Sequence, residues 1–543
     1  MTDRASSHSP HVAAVVINSV AHDARVLKEA DGLAAAGYRV TIYGIQDSRC
    51  NEPVTIRPSG VVIRRAEWRS QAFRMKARMI VAGTGAAVIA GCVVLWAILA
   101  GHGDHPVVAS VTALLVLVVL GAGMRHARRA MAAAHNTARN LSAASRRVAA
   151  NGSVVEVKPG PTTSAPVSRE VKRPQPQGPR NRIARWRSNL KTWYANQLRV
   201  ISLVDLIMAD RPDAVHAHDL QAMPVGWRVK RRLGCPLIFD SHELHDDLSQ
   251  ISGWGRRRSR RQQAYYSGRV DGFVTVNESI AETMRQRYPR LPEAVIVRNA
   301  TRFDGEVVAD DGRLHRAAHL DPSTRILLYQ GGFARHRGLD SLVRSATLLP
   351  EGWVLVMMGW GTFEPTLRGI AQAVDPDEKR VRFLPGAPQA ELAQWTAGAS
   401  LGVIPYENVC LNHWFCTPNK IWEYPVAGVP ILASPFPELR KAIEGNGTGV
   451  LLDDPVTPEN IARTVASVTP ERLEAMRTNC QRFLERDNWS MYERRLIELY
   501  RRLLGSRSVA PQPAAETVHQ GGHQAGATVA FSATAHRSSA GPA

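Results

Sequence analysis

The stretch from Thr417 to Gly428, TPNKIWEYPVAG, carries the residue types of an anion site. Thr417 is a favourable helix N-cap residue, and Pro418 is favourable at the first helical position. The free backbone N–H groups and the positive end of the helix dipole would then fall at Asn419 and Lys420. The pattern therefore predicts a phosphate-binding helix start, with the helix ending at Gly428.

Glu423 follows Asn419 by about one helical turn and lies on the same face. A carboxylate in that place can accept hydrogen bonds from a pair of sugar hydroxyls. Pro425 should kink or shorten the helix, because proline removes a backbone donor. The alternative is an ordinary capped helix with an exposed glutamate.

The string resembles the donor-site signature of the family 4 glycosyltransferases, which are retaining enzymes with the two-domain GT-B fold. In that signature an N-K-x-x-E-Y segment precedes a small-residue turn and a strand, here VPILAS. The resemblance extends over most of the chain outside one insertion and the tail. It implies that Lys420 and the helix start at Asn419 bind the diphosphate of a nucleotide sugar, and that Glu423 holds the ribose.

A second part of the donor site is implied by the segment RILLYQGG and the loop FARHRG after it. By the resemblance, Arg337 faces the diphosphate. Gly331 and Gly332 allow the backbone to come close to it. Many members of the family have an arginine directly after the first glycine, where this chain has Gly332. That phosphate contact is therefore absent or supplied elsewhere, with Arg335 as a candidate.

A second departure from the family pattern is Phe415. It stands eight residues before Glu423, where the family has the first acidic residue of an E-x7-E pair. The donor sugar is therefore unassigned, and a catalytically inactive, membrane-tethered scaffold is an alternative. The joint presence of Arg337, Lys420 and Glu423 argues against the scaffold.

Two strand-like segments in the first half, RPDAVHAHD and CPLIFDSHELHDD, end in polar residues. The resemblance places His242 near the donor sugar, so we predict His242, with Glu243 beside it, as catalytic. His218 and Asp219 are predicted to shape the acceptor side. The alternative for a single histidine is a structural hydrogen bond. We assign no general base, because in retaining enzymes of this kind the leaving phosphate can take the proton.

The same histidines allow another interpretation. His216, His218 and His242 could bind a metal ion, as in a metal-dependent hydrolase. That interpretation leaves the second half of the chain unexplained. We therefore predict no metal and no cofactor, with the nucleotide sugar as a substrate.

The turn NSVAHDARV follows the buried-strand pattern HVAAVVIN and precedes an amphipathic helix pattern. It resembles the N-S-x-x-x-D-x-R-V opening of a subset of the family, which makes Asn18, Asp23 and Arg25 candidates for the acceptor side of the cleft. As an alternative, Asp23 simply caps the following helix.

Composition limits the partners. The 543 residues carry a formal charge of +20, but the sequence has no nucleic-acid-binding signature, so we expect an anionic membrane surface rather than nucleic acid. The 6 cysteines form no C-x-x-C pair and no zinc spacing, which is typical of a reducing compartment. No apolar region of a cleavable signal peptide follows the N-terminal charges.

Residues 79–101 carry no charge, and a helix of this length spans roughly 34 Å, enough for a bilayer core. A second uncharged run covers 106–123, and only HGDH separates the two. Arginines and Lys76 flank the pair, whereas the connecting loop has neither Lys nor Arg. The positive-inside rule predicts a transmembrane hairpin with both ends in the cytoplasm. The alternative is a buried helical pair in a soluble domain.

Strand and helix patterns alternate on both sides of this hairpin, which predicts an α/β protein with two doubly wound Rossmann-like domains facing a cleft. The predicted parts are a first domain in two pieces (1–78 and 181–320), the hairpin (79–124), a cytosolic helix and flexible linker (125–180), a nucleotide-sugar-binding domain (321–487), a return helix (488–504) and a disordered tail (505–543).

The sequence thus predicts a glycosyltransferase of the inner or plasma membrane with cytoplasmic catalytic domains. It would move a sugar from a nucleotide-diphosphate sugar to a lipid-linked or cell-envelope glycan acceptor, with retention. The sequence assigns neither the base and sugar of the donor nor the acceptor.

Overall fold

The computed structural model describes residues 9–21, 23–47, 50–67, 179–249 and 251–505, with the backbone alone for 179–191. Within these ranges the chain forms two twisted sheets, one of 8 strands and one of 6, with helices packed on them. The strands β1 to β14, in chain order, are His11–Val15, Arg39–Ile45, Val54–Ile56, Val62–Ala66, Ala214–His218, Leu237–Ser241, Gly272–Thr275, Ala294–Ile296, Arg325–Gly332, Trp353–Trp360, Val381–Pro385, Leu401–Ile404, Ile431–Ala433 and Gly449–Leu451.

The first sheet has the order β3-β4-β2-β1-β5-β6-β7-β8. All its pairs are parallel except β3 with β4. Strand β1 lies between β2 and β5, so strands from both sides of residues 68–178 form one sheet. The strand order reverses between β1 and β5, where ligands of doubly wound sheets bind at the carboxyl ends.

The second sheet has the order β11-β10-β9-β12-β13-β14 and is parallel throughout. Its strand order reverses between β9 and β12. Strand β9 ends at Gly331 and Gly332, so these glycines lie at the reversal point, on the edge where a ligand is expected.

Fifteen α-helices surround the two sheets within the described ranges. They are α1 to α15 in chain order: Ala24–Ala35, Pro179–Asp210, Asp219–Leu233, Gly253–Ser267, Glu278–Arg287, Arg313–Ala317, Leu339–Ser345, Glu364–Val374, Leu392–Thr396, Leu411–Trp414, Lys420–Glu423, Pro437–Ile443, Pro458–Ala466, Pro470–Arg486 and Trp489–Leu504.

Helix α15 follows the second sheet in the chain but packs on the first, against α1 and β8. Trp489, Leu496 and Tyr500 on one face of α15 are buried, and they belong to an apolar cluster that runs through both domains. The predicted return helix is therefore present, and it joins the two domains through packing.

The prediction of two doubly wound α/β sheets is confirmed. Strands β3 and β4 were not predicted. The predicted hairpin at 79–124, the linker up to residue 178 and the tail beyond residue 505 lie outside the described residues. Across the described ranges, every helix is too short or too polar to cross a bilayer. The hairpin and the domain boundaries stay predictions.

Candidate active site

A cavity of about 360 Å³ opens at the carboxyl end of β9, beside α11. It collects residues from β9, from the loop after it and from the segment before and within α11. Five of the predicted donor-binding residues line it: Gly331, Arg337, Asn419, Lys420 and Glu423. The sixth, Gly332, is not part of the lining, and its carbonyl oxygen accepts a hydrogen bond from Arg337 Nη1 at 3.3 Å.

Two cations define the electrostatics of this cavity. The Lys420 side chain is buried, with Nζ 5.1 Å from the centre of the Tyr329 ring and 5.8 Å from that of Tyr406. The Arg337 guanidinium lies 5.4 Å from the Tyr406 ring. Neither cation has a carboxylate within 4.0 Å in the described part of the chain. A diphosphate is a ligand that would supply the missing negative charge.

The backbone conformation at Gly331 and the nearby lysine both favour a glycine at this position. Its φ of +109° is one that side-chain-bearing residues rarely adopt, and a Cβ would lie 3.3 Å from Lys420 Nζ. A larger residue would therefore strain the backbone and displace the lysine.

The predicted N-cap of this segment is wrong. Helix α11 begins at Lys420 and has 4 residues; Asn419, not Thr417, occupies the N-cap position, and its side chain makes no capping bond. Thr417 Oγ1 instead accepts a hydrogen bond from Asn277 Nδ2 of the first domain at 3.2 Å. Because a single turn has little dipole, the side chains of Lys420 and Arg337 carry most of the positive charge.

The end of this segment follows the prediction. The residues Pro425–Ala427 form a 3-10 turn, and Gly428 ends it in the left-handed conformation, with φ of 67°. The proline thus shortens the α-helix, as expected from its missing donor.

Glu423 is oriented by a residue that the sequence analysis did not single out. Gln330 Nε2 donates to Glu423 Oε2 at 3.3 Å, and Gln330 Oε1 accepts from Thr396 Oγ1 at 2.7 Å. The glutamine is buried and its amide is fixed at both ends. It therefore holds the carboxylate at the cavity wall, and the contact of Glu423 with a ribose stays a prediction.

In the first domain, histidines and carboxylates converge at the ends of β5 and β6. These strands pair in a register that sets His218 opposite Asp240. Asp240 Oδ2 lies 3.3 Å from His218 Nδ1 and 3.1 Å from His242 Nε2. Asp219 Oδ2 lies 3.5 Å from His242 Nδ1. The structure thus groups the predicted His218, Asp219 and His242 around Asp240, which was not predicted.

The two carboxylates decide the charge of His242. Burial of the ring lowers the pKa of His242, but the carboxylates of Asp240 and Asp219 outweigh this effect and raise it to about 9. Burial raises the pKa of Asp219, but His242 and His245 outweigh it and lower the pKa to about 2. Near neutral pH His242 is an imidazolium, so it stabilises negative charge and cannot act as a general base.

Arg25 lies beneath this group. Its guanidinium binds both oxygens of Asp240 at 3.0 Å, donates to the carbonyl oxygen of Val297 at 2.7 Å, and donates to Asn299 Oδ1 at 3.0 Å. Its Nε lies 3.0 Å from Glu29 Oε1. Because it is buried and fully engaged, Arg25 orients Asp240 rather than contacting a ligand directly.

Asn18 and Asp23 lie in the turn after β1. Asn18 Nδ2 donates to Asp23 Oδ2 at 2.9 Å, and Asp23 caps α1 by accepting from Val26 N–H at 3.4 Å. The helix cap considered for Asp23 is thus present. A role for Asn18 and Asp23 toward an acceptor stays a prediction.

A second buried histidine connects the site to the return helix. Tyr500 Oη lies 3.0 Å from His216 Nδ1, and the ring of His216 stacks on that of His218 with centroids 4.3 Å apart. Burial lowers the pKa of His216 well below its ordinary value, so its ring is neutral and Nδ1 can accept a hydrogen bond from the Tyr500 hydroxyl. Helix α15 therefore holds His216, whose ring packs on the predicted acceptor-side residue His218.

Glu243 belongs to the contact between the domains. Asn412 of α10 donates from Nδ2 to Glu243 Oε2 at 3.2 Å and accepts from Leu244 N–H at 3.0 Å. Asn412 was not predicted from the sequence. Its two hydrogen bonds join the domains and fix the Glu243 carboxylate.

Phe415 contributes to the same contact. Its side chain packs against the apolar core of the first domain, and its carbonyl oxygen accepts from Asn277 Nδ2 at 2.7 Å. Where the family pattern has an acidic residue directed to a sugar, this chain has a residue that packs across the domain boundary.

The metal alternative can be tested against the geometry. Among the described residues, the side chains whose ligand atoms lie close enough to share a metal ion are Glu29, His216, His218 and Asp240, within 4.8 Å of one another. Arg25 already lies on both carboxylates, so a divalent cation would face a guanidinium at contact distance. The residues present therefore fit a buried ion pair better than a metal centre.

The chain resembles known proteins in both domains. The profile described as "Glycosyl transferase 4-like domain" matches residues 133–300, and that described as "Glycosyl transferases group 1" matches residues 324–469. A relative from Thermobispora bispora, D-inositol 3-phosphate glycosyltransferase, is 27% identical over 308 residues, which are 53% of this chain and 70% of the relative.

Two solved structures have a similar fold. Sucrose-phosphate synthase from Thermosynechococcus elongatus is 14% identical, with a TM-score of 0.60, over 91% of this chain and 99% of that one. A glycosyltransferase from Rickettsia africae is 9% identical, with a TM-score of 0.52, over 92% of this chain and 100% of that one. These two structures show the fold alone. The two family profiles and the relative, together with the two doubly wound sheets, identify the chain as a nucleotide-sugar glycosyltransferase of the GT-B fold.

Proposed function

We propose that this enzyme moves a sugar, with retention, from a nucleotide-diphosphate sugar to a lipid-linked or cell-envelope glycan acceptor at the cytoplasmic face of a membrane. The observation that carries the donor part is the cavity in which Lys420 and Arg337 lie without a carboxylate partner among the described residues. The membrane part is supported by the uncharged runs at 79–101 and 106–123 and their basic flanks.

The proposed reaction uses the two sides of the cleft differently. The diphosphate binds Lys420 and Arg337, which neutralise the charge that develops on the leaving phosphate. The bond between the anomeric carbon and the phosphate oxygen breaks, and the bond to the acceptor oxygen forms on the same face of the sugar. The leaving phosphate takes the acceptor proton, since His242 already carries one. Glu423 binds the ribose, and no metal is needed to neutralise the diphosphate.

The test of the donor site is a thermal-shift titration of detergent-purified full-length protein with UDP, GDP, ADP and dTDP and their sugars. A nucleotide at 100 times its dissociation constant should stabilise the protein by about 2.7 kcal/mol. The shift should weaken in Arg337→Ala and in Glu423→Ala. Arg344→Ala, which removes an exposed arginine of α7 outside the cavity, should leave the shift unchanged.

The nucleotide that gives a shift then serves as donor in acceptor screens with membrane extracts and with D-inositol 3-phosphate. D-inositol 3-phosphate is included because the Thermobispora bispora relative is named after it. Transfer to a lipid-extractable product would support the membrane acceptor, and transfer to the inositol phosphate alone would overturn that part. If no nucleotide gives a shift, the donor site is refuted and the inactive scaffold becomes the better interpretation.

A further inference from the structure

Helix α4 presents an unusual surface to solvent. Trp254 is 68% exposed and Tyr265 is 48% exposed. Arg257, Arg258 and Arg261 are exposed between them. Arg257 and Arg258 follow Trp254 by three and four residues, Arg261 follows that pair by four and three, and Tyr265 follows Arg261 by four. Residues at these spacings lie on one side of a helix, so the five side chains form a single face. We call these five residues the Trp-Arg face.

The charge of the Trp-Arg face is uncompensated. Other arginines of α4 have acidic partners: Arg260 Nε lies 2.9 Å from Asp246, and Arg256 Nη2 lies 3.8 Å from Asp247. In the described ranges, no carboxylate lies within 4.0 Å of the three arginines of the face. One of them, Arg258, instead lies 5.7 Å from the Trp254 ring. The face therefore combines positive charge with an exposed indole.

The two longest segments outside the described residues contain few carboxylates that could neutralise this charge. Residues 68–178 contain the acidic residues Asp104, Glu156 and Glu170 and no others, and residues 506–543 contain only Glu516. Both segments also carry arginines. Charge complementarity therefore points to an anionic partner outside this chain.

The opposite side of α4 packs directly against the candidate acceptor side of the cleft. Ser259 Oγ donates to the carbonyl oxygen of His245 at 3.0 Å, and Gln262 Nε2 donates to that of Leu220 at 3.2 Å. His245 Nε2 in turn lies 3.1 Å from Asp219 Oδ1. A partner bound to the Trp-Arg face would thus lie one helix away from the predicted acceptor residues.

We propose that the Trp-Arg face docks on the surface of an anionic lipid bilayer. Arginines attract anionic head groups, and tryptophan and tyrosine favour the boundary between head groups and acyl chains. A planar array of lipid phosphates matches a flat helix face better than a single small anion does. Docking in this way brings the first domain to the membrane at the side that receives the acceptor; this last consequence rests on the proposed function.

The test is hydrogen exchange of the amides of α4 in the full-length protein. It is measured with vesicles of phosphatidylcholine alone and with an equal mixture of phosphatidylcholine and phosphatidylglycerol. This readout responds to contact between α4 and the bilayer even if another segment anchors the protein. We expect protection of residues 253–267 on the anionic vesicles only, and weaker protection at high salt.

The test variant is Arg257→Gln/Arg258→Gln/Arg261→Gln. Each basic residue near an anionic surface strengthens association roughly fivefold, so the protection should fall by up to about 100-fold. The matched control is Arg472→Gln/Arg477→Gln/Arg482→Gln. It removes the same charge from three exposed arginines of α14 and should keep the protection.

Quenching by lipids with brominated acyl chains tests the role of the indole. Brominated anionic vesicles should quench the fluorescence of the unchanged protein more than that of Trp254→Phe, because Trp96 of the predicted hairpin would be quenched equally in both proteins. The proposal would be overturned if α4 were protected equally on both kinds of vesicle or on neither. It would also be overturned if the two triple variants lost the same amount of α4 protection. Protection of α4 that appears without lipid and increases with protein concentration would also overturn it, because a second copy would then cover the face.

The nucleotide titration separates this proposal from the proposed function. The donor-induced thermal shift should be the same in the unchanged protein and in both triple variants. Anionic protection of α4 without any donor shift would refute the transferase site and leave the docking surface in place. A donor-induced thermal shift without protection of α4 would refute the docking surface and leave the transferase site in place.

Discussion

Replacing Arg25 by methionine should strongly destabilise the first domain. The guanidinium serves two buried carboxylates: the side-chain exposure is 5% for Arg25, 2% for Glu29 and 0% for Asp240. Removing one partner of a buried ion pair costs about 3–5 kcal/mol, because the other charge stays buried and unpaired. Burial already raises the pKa of Glu29, so Glu29 can take up a proton and limit the loss. We therefore expect about 4 kcal/mol for Arg25→Met, in the middle of that range.

The assay is pulse proteolysis in a urea series, with full-length protein in detergent and a readout on fragments of the first domain. Arg57→Met is the matched control, because its ion pair with Asp31 is more exposed, at 30% and 26%, and should be worth less than about 1 kcal/mol. Adding Glu29→Gln to Arg25→Met should restore about 1 kcal/mol by removing one unpaired carboxylate. If Arg25→Met is no more destabilising than Arg57→Met, the structural role assigned to this cation is refuted.

The pKa of His242 is about 9 in the folded protein and 6.5 when unperturbed, so the stabilisation it provides below pH 6.5 should be lost as the pH rises towards 9. Urea titrations at pH 6 and pH 9 should show a loss of unfolding free energy in the unchanged protein that is absent in His242→Gln. An equal loss in the two proteins would contradict the charge assigned to His242. Tyr500→Phe leaves Nδ1 of buried His216 without a partner and should cost about 1–3 kcal/mol in the proteolysis assay, and a cost near zero would argue against the bond. Asn412→Ala removes both of its hydrogen bonds to the first domain and should speed hydrogen exchange in residues 411–415 while the donor-induced thermal shift persists; unchanged exchange would show that these bonds do not hold the domains together.

Local signals in the sequence predicted much of the second domain. A buried run that ends in two glycines placed the end of β9, and the order of asparagine, lysine and glutamate placed Lys420 and Glu423 on the same cavity. The N-cap assignment failed because Thr417 is bound by Asn277, which is 140 residues away in the chain. No local pattern reveals such a competing partner.

The first domain was harder to predict at the level of the site. Asp240 is paired with Arg25 over 215 residues, and Tyr500 with His216 over 284. Such pairs depend on sheet order and on where α15 packs, and a single sequence does not encode either in its periodicity. Strand β4 was missed for a different reason: the buried Arg64 and Arg65 interrupt the apolar pattern that marks a strand.

Helix α15 also has a consequence for how the protein is made. Synthesis proceeds from the N-terminus, so all strands of the first sheet exist before residues 489–504 leave the ribosome. Until then the surfaces of α1 and β8 that α15 covers are exposed to water, and His216 lacks its tyrosine partner. The first domain therefore reaches its native state only after the second has been synthesised. In a fragment that ends before residue 489, the first domain should reach its native state only when residues 489–504 are supplied as a separate peptide.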